Sequence, residues 1–216
     1  MRKRIATILL LSGVVLLFTI TPARAITYGF NAITANNVAD VATGEAQLFM
    51  DVTDPGGGSV LFTFRNTGPN PCSICDVYFY DGALLGATMS IQNSSGVAFS
   101  PNANPEALPG GIPYGLPKAS VVFSADSDSG DPGVMTNGVN PGESLGIQFA
   151  LASGKSFAEV IATLDEGSTV VGIHVQSFGH SGSESFVNVP LPPSVLLLGS
   201  GLVGLGLRGF RRRRQS

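Results

Sequence analysis

Q-L-F-M-D-V at 47–52 and V-L-F-T-F-R at 60–65 alternate two sets of side chains along the chain. Gln47, Phe49 and Asp51 oppose Leu48, Met50 and Val52 in the first stretch, and Leu61, Thr63 and Arg65 oppose Val60, Phe62 and Phe64 in the second. A period of two places each set on its own side of a pleated strand, so both stretches are predicted to be strands with one face in a core. Working outward, short runs of the same kind predict further strands at 76–80, 85–91, 120–125, 144–151, 169–178 and 184–187. Gly, Pro, Asn and Asp clusters separate them, and no repeat of solenoid or propeller length is present. The expected fold is mainly β: a single antiparallel sandwich or jelly-roll-like domain.

One helix interrupts this pattern. Phe157, Val160, Ile161 and Leu164 recur at helical spacing, Ser156 and Glu159 have the spacing of a capping box, and Gly167 follows as a stop. Its expected place is over one open end of the sandwich. It is an architectural element with no implied chemistry.

The two ends of the chain are built differently from the middle. Arg2, Lys3 and Arg4 precede an apolar run at 5–20, and Ala23-Arg24-Ala25 forms a small-x-small cleavage site. Residues 1–25 are therefore expected to be a signal helix that signal peptidase removes after Sec export, leaving Ile26 as the mature N-terminus. At the other end Val189, Pro190, Leu191, Pro192, Pro193 and Ser194 precede an apolar, Gly-rich stretch, followed by Arg208 and the run Arg211, Arg212, Arg213 and Arg214. A motif, an apolar span and a basic end in that order predict a sorting signal: motif 189–194, transmembrane helix 195–210 and Arg-rich tail 211–216. Residues 194–210 would span roughly 25 Å as a helix against a hydrocarbon core of about 30 Å, a short fit that suits a transient anchor. The exported domain is then 26–188.

Charge divides along the same lines. Of the 12 basic residues only Arg65, Lys118 and Lys155 lie between 26 and 190, whereas all 15 acidic residues do, so this stretch carries a net charge of −12. Such a surface repels nucleic acid and anionic headgroups, leaving divalent cations or neutral polysaccharide as better partners.

V-P-L-P-P-S at 189–194, G-S-G-L at 199–202 and the Arg-rich end resemble the PEP-CTERM sorting domain in its V-P-L-P variant, with Leu191 where the namesake motif has Glu. The resemblance implies processing by an exosortase-like membrane protease-transpeptidase, in a Gram-negative bacterium that makes exopolysaccharide. It also implies a route from transient inner-membrane anchoring, with the domain on the periplasmic side, to the cell surface or extracellular matrix. G-E-A-Q-L at 44–48, Y-F-Y-D-G at 78–82, N-G-V-N-P-G-E-S-L-G-I at 137–147, and G-I-H-V-Q-S-F at 172–178 followed by S-E-S-F-V-N at 183–188 resemble ectodomains carried by such proteins, a group with no established biochemical activity.

The exported region offers few chemical candidates. A loop with Pro101, Pro105, Pro109, Pro113 and Pro117 is stiffened by its prolines and is expected either to cover a sheet edge or to bind. Asp126, Asp128 and Asp131 could offer carboxylates to Ca²⁺, but Gly130 and Asn137 miss the EF-hand spacing, so a solvated acidic turn is expected and no cofactor is required. Cys72 and Cys75, a C-x-x-C with too few further ligands for zinc, are expected to form a small disulfide in an oxidising compartment. His174 shares a face with Gln176 and is expected to point to solvent or a groove. No catalytic set can be named, so the chain is read as a structural or adhesive matrix protein and not an enzyme. The alternative is a carbohydrate-binding module with Tyr78, Tyr80 or Tyr114 as stacking platforms, although the absence of Trp weighs against it.

Overall fold

The structure is a computed structural model, and it describes residues 25–80, 83–127, 136–180 and 182–190. Ten strands form it: β1 (Ala25–Ala32), β2 (Leu48–Thr53), β3 (Ser59–Asn66), β4 (Ser73–Tyr80), β5 (Leu85–Asn93), β6 (Ser100–Pro101), β7 (Val121–Asp126), β8 (Ser144–Leu151), β9 (Val170–Gln176) and β10 (Glu184–Pro190). They make one antiparallel sheet in the order β5-β8-β3-β2-β1-β10-β9-β4-β7-β6. The alternation that predicts β2 and β3 is what the fold uses, since Leu48, Met50, Val52, Val60, Phe62 and Phe64 are all buried in one core.

The sheet rolls until strands far apart in its order meet. Phe62 of β3 packs edge to face on Phe79 of β4 at 5.0 Å between ring centres, and Phe149 of β8 meets both Phe79 at 4.9 Å and Phe123 of β7 at 5.2 Å. Edge-to-face contacts of this kind add about 0.5–1.5 kcal/mol each beyond the area they bury. The fold is thus a mainly antiparallel β domain with a nearly closed sheet. On the outer side of β2 and β3, Arg65 grips Asp51 through two hydrogen bonds of 2.6 and 3.0 Å.

Two helices, α1 (Val38–Gln47) and α2 (Phe157–Glu166), lie at opposite ends of the roll. α2 follows the sequence expectation closely. Ser156 and Glu159 form the reciprocal capping box, Gly167 ends the helix in the left-handed conformation at φ 75°, and Val160 and Leu164 are buried in the core. It joins the end of β8 to the start of β9 and covers the end of the roll where β1 begins and β10 finishes.

α1 corrects the expectation of a single helix. It joins β1 to β2 at the opposite end, and its buried residues are Asp40, Gly44 and Gln47. Gly44 is needed there because a Cβ at that position would overlap the ring of Phe186. A face made of a carboxylate, a glycine and an amide has no apolar stripe, so hydrophobic periodicity cannot reveal it.

A second, smaller core lies on the outer face. Ile33, Tyr78, Tyr80, Ala103, Leu108 and Leu116 cluster there, with Val121, Val170 and Val187 packed against them. The proline-rich segment therefore borders the edge of β7 through Pro101 in β6, and its later part covers the outer face of β4 and β9. It is pinned by the Tyr78 hydroxyl donating to Pro105 O at 2.7 Å and by Leu108 N donating to the Tyr80 hydroxyl at 3.2 Å. With the roll on one side and this cover on the other, every residue of β4 is buried.

Candidate functional site

The segment 189–194, expected to be a sorting motif, begins inside the sheet. Val189 and Pro190 are the last residues of β10 and pair with Gly29 and Tyr28 of β1. Leu191, Pro192, Pro193 and Ser194, the expected transmembrane helix 195–210 and the arginines of the tail lie outside the described residues. At the other terminus Ala25 is the first residue of β1, and Ile26 pairs with Val52 and packs on the core. The remainder of the expected signal segment, including Ala23, also lies outside the described residues. Among those described, no helix is long and apolar enough to cross a membrane.

The roll brings together a polar row that single-sequence reading does not assemble. Register places Ser185 of β10 beside His174 of β9, His174 beside Asp76 of β4, and Asp76 beside Asp126 of β7. His174 corrects the expectation of a solvent-facing imidazole: it is 8% exposed, with Nδ1 3.1 Å from Ser185 Oγ. Burial pulls its pKa down to about 4, against the opposing influence of the Glu184 carboxylate. The ring is therefore neutral at physiological pH. Glu184, itself buried, accepts from Thr34 Oγ1 at 2.5 Å and from Asn37 N at 2.7 Å, and Thr34 Oγ1 in turn accepts from Ser185 N at 2.8 Å.

Ser185, His174 and Asp76 have the composition of a nucleophile, a base and an acid. The Ser185 side chain is fully buried, however, so no carbonyl substrate can approach its hydroxyl in this conformation. Within the row His174 is held by Ser185, and Asp126 accepts from Asn104 N. A carboxylate–imidazole contact joins buried Asp40 on α1 to His180 Nδ1 at 3.0 Å.

The expected disulfide is corrected: Cys72 and Cys75 are both free and buried. Ser73 and Ile74, both in β4, lie between them, and three steps of extended chain at about 3.3 Å each exceed the roughly 7 Å that a disulfide bridges. Burial raises both thiol pKa values, that of Cys75 to about 12 with help from the Asp76 charge. Cys72 instead joins a buried network. Gln47 Nε2 donates to Asn66 Oδ1 at 2.9 Å, to Asn70 O at 2.8 Å and to Cys72 Sγ at 3.1 Å, while Asn66 Nδ2 donates to Cys72 O at 2.8 Å. These bonds fasten the end of α1 to the loop between β3 and β4.

The aromatic candidates separate cleanly. Tyr78 and Tyr80 are buried under the proline-rich cover and cannot serve as stacking platforms, whereas Tyr114 is 59% exposed beside Ile112 at 74%. Both lie on a short 3-10 turn that also contains Pro113 and ends at left-handed Gly115. Of the candidate carboxylates Asp126, Asp128 and Asp131, Asp126 is described. It is buried and accepts from Asn104 N at 3.3 Å, while Asp128 and Asp131 lie outside the described residues. Among the described residues no group of three or more His, Cys, Asp or Glu side chains could hold a metal ion.

Comparisons with protein-family models, curated proteins and solved structures give no match to this chain.

Proposed function

We propose that the chain is an exported cell-surface or extracellular-matrix protein, delivered by an exosortase-like system and acting structurally or adhesively within an exopolysaccharide matrix. One observation carries the reading: the order of the V-P-L-P-P-S motif, the apolar Gly-rich stretch and the arginine run at the C-terminus. The N-terminal export segment and the net charge of −12 between 26 and 190 accord with it. So does a described domain whose polar groups are largely engaged with one another. In this reading the rolled sheet serves as a two-layered, jelly-roll-like body, closed at its ends by α1 and α2.

Intact mass and fractionation of the native protein from its own host test it. The expected product lacks the arginine tail and is recovered from the envelope or matrix. An intact, Arg-tailed protein in the membrane fraction would make it a single-span anchored domain and remove the matrix reading.

A second reading, a carbohydrate-binding module, is favoured by one feature only, the exposed Tyr114 on its proline-stiffened turn. Affinity electrophoresis through the host's polysaccharide should then retard the native domain and not Tyr114→Ala. Equal migration of the two would end that reading.

A further inference from the structure

The buried network around Gln47 has one contact more than its hydrogens can serve. The Gln47 amide nitrogen carries two hydrogens and faces three acceptors: Asn66 Oδ1 at 2.9 Å, Asn70 O at 2.8 Å and Cys72 Sγ at 3.1 Å. The two oxygens are nearer and are the stronger acceptors, so they take both hydrogens and the sulfur is left packed on the amide. On the other side of the same amide, Asn70 N donates to Gln47 Oε1 at 3.2 Å. A backbone N–H thus polarises the carbonyl, as it does for an acyl group under attack. The amide carbon lies one bond of about 1.3 Å beyond the nitrogen, so a small rotation of the side-chain end brings the sulfur to the near-attack separation of about 3–3.5 Å. Gln47 is 3% exposed and Cys72 2%, which keeps water from both.

We propose that Gln47 and Cys72 join as an internal thioester: Cys72 Sγ attacks Gln47 Cδ, the carbon–nitrogen bond breaks, and the thiol proton leaves with the nitrogen as ammonia. Atoms balance, and no oxidant or cofactor is consumed. Burial holds the Cys72 pKa above its ordinary value, so at neutral pH the proton is still on the sulfur and passes to the nitrogen beside it. The dry pocket then shields the product from hydrolysis. The bond ties the last residue of α1 to the residue just before β4, 25 positions along the chain. It closes a loop around β2 and β3 and restrains the unfolded chain as a disulfide does, without needing an oxidising compartment. An amine that enters when α1 loosens is acylated by Gln47 and frees the Cys72 thiol. None of this depends on how the C-terminus is processed.

The test is a peptide map of the full chain purified from its own host and digested with pepsin in acid, where thioesters persist. The peptides containing Gln47 and Cys72 should appear as a linked pair lighter by one ammonia, and after unfolding Cys75 should be alkylated while Cys72 is not. Methylamine added to the unfolded protein should split the pair, leaving a methylamide at position 47 and a Cys72 that now alkylates. Cys72→Ala should abolish the link and Cys75→Ala should retain it. An unmodified Gln47 peptide with Cys72 alkylated as fully as Cys75, before any methylamine is added, would overturn the proposal whether or not the variants fold. A disulfide between Cys72 and Cys75 would overturn it equally.

Discussion

α1 and α2 have ten residues each and close opposite ends of the same rolled sheet, yet they are held by different physics. α2 lays Val160 and Leu164 into the core, with Phe157 and Ile161 partly buried beside them. α1 buries Asp40, Gly44 and Gln47, and is fastened by hydrogen bonds to the β3–β4 loop, a carboxylate contact to His180 and the flat approach of Gly44 to Phe186. Both solutions satisfy the demand that an open end be covered. Only the first leaves a periodic trace in the sequence, because apolar burial needs a stripe whereas a polar clasp needs a few specific atoms.

The contrast sharpens most at Leu164. Leu164→Ala removes a fully buried side chain from the α2 end and is expected to destabilise the domain by about 3–4 kcal/mol, measured by urea unfolding. A loss under 1 kcal/mol would mean that α2 is not anchored by its stripe.

Acid should act chiefly through the polar half of the molecule. The His174 pKa is about 4 in the folded protein against an ordinary value near 6.5, so unfolding takes up a proton between those values. The stability contributed by the neutral ring is therefore fully present above about pH 6.5 and is lost as pH falls toward 4, up to about 3 kcal/mol. The groups facing this ring are Ser185, Glu184 and Asp76. Denaturation at pH 7 and pH 4.5 should show His174→Gln losing less stability on acidification than the native protein. Parallel losses in the two proteins would acquit the histidine.

Gln47 tests the clasp directly. Its side chain donates to Asn66, Asn70 and Cys72 and accepts from Asn70 N, all in a mostly buried pocket. Gln47→Ala strands several of these partners and should destabilise by about 2 kcal/mol, with hydrogen exchange quickening in α1 and the 67–72 loop before α2. Uniform quickening across both helices would show that the two ends unfold together.

These same residues explain what the sequence could reveal. The alternation around Leu48–Thr53 and Ser59–Asn66 was legible because one face of each strand meets the core and the other meets water. The outward direction expected for His174 failed because the outer face of β9 is roofed by residues more than fifty positions earlier in the chain, and alternation marks sides without saying what covers them. The same roof hides Tyr78 and Tyr80. Ser185, His174, Asp76 and Asp126 converge through the registers of three strand pairs, a non-local outcome that no spacing along the chain encodes. The V-P-L-P-P-S segment stands out by composition, but that its first two residues belong to β10 depends on where strand pairing stops.

Ser156 gives the smallest and most local test. Its hydroxyl accepts from Glu159 N at 3.3 Å, and Glu159 returns a bond to Ser156 N at 2.9 Å, so two otherwise unpaired donors of the first turn are satisfied. Bonding to the Ser156 side chain and backbone also holds the Glu159 carboxyl below its ordinary pKa. Ser156→Ala removes one half of this exchange on an exposed turn and should destabilise by about 1 kcal/mol. The effect should stay confined to the α2 end, with hydrogen exchange in α1 unchanged. Since stripe and cap act on the same helix, Ser156→Ala combined with Leu164→Ala should lose less than the two single losses added, the helix already being loosened by the first. Strict additivity would instead mean that the cap stabilises the turn whether or not the stripe is docked, and that even the legible end of this domain is held by two independent devices.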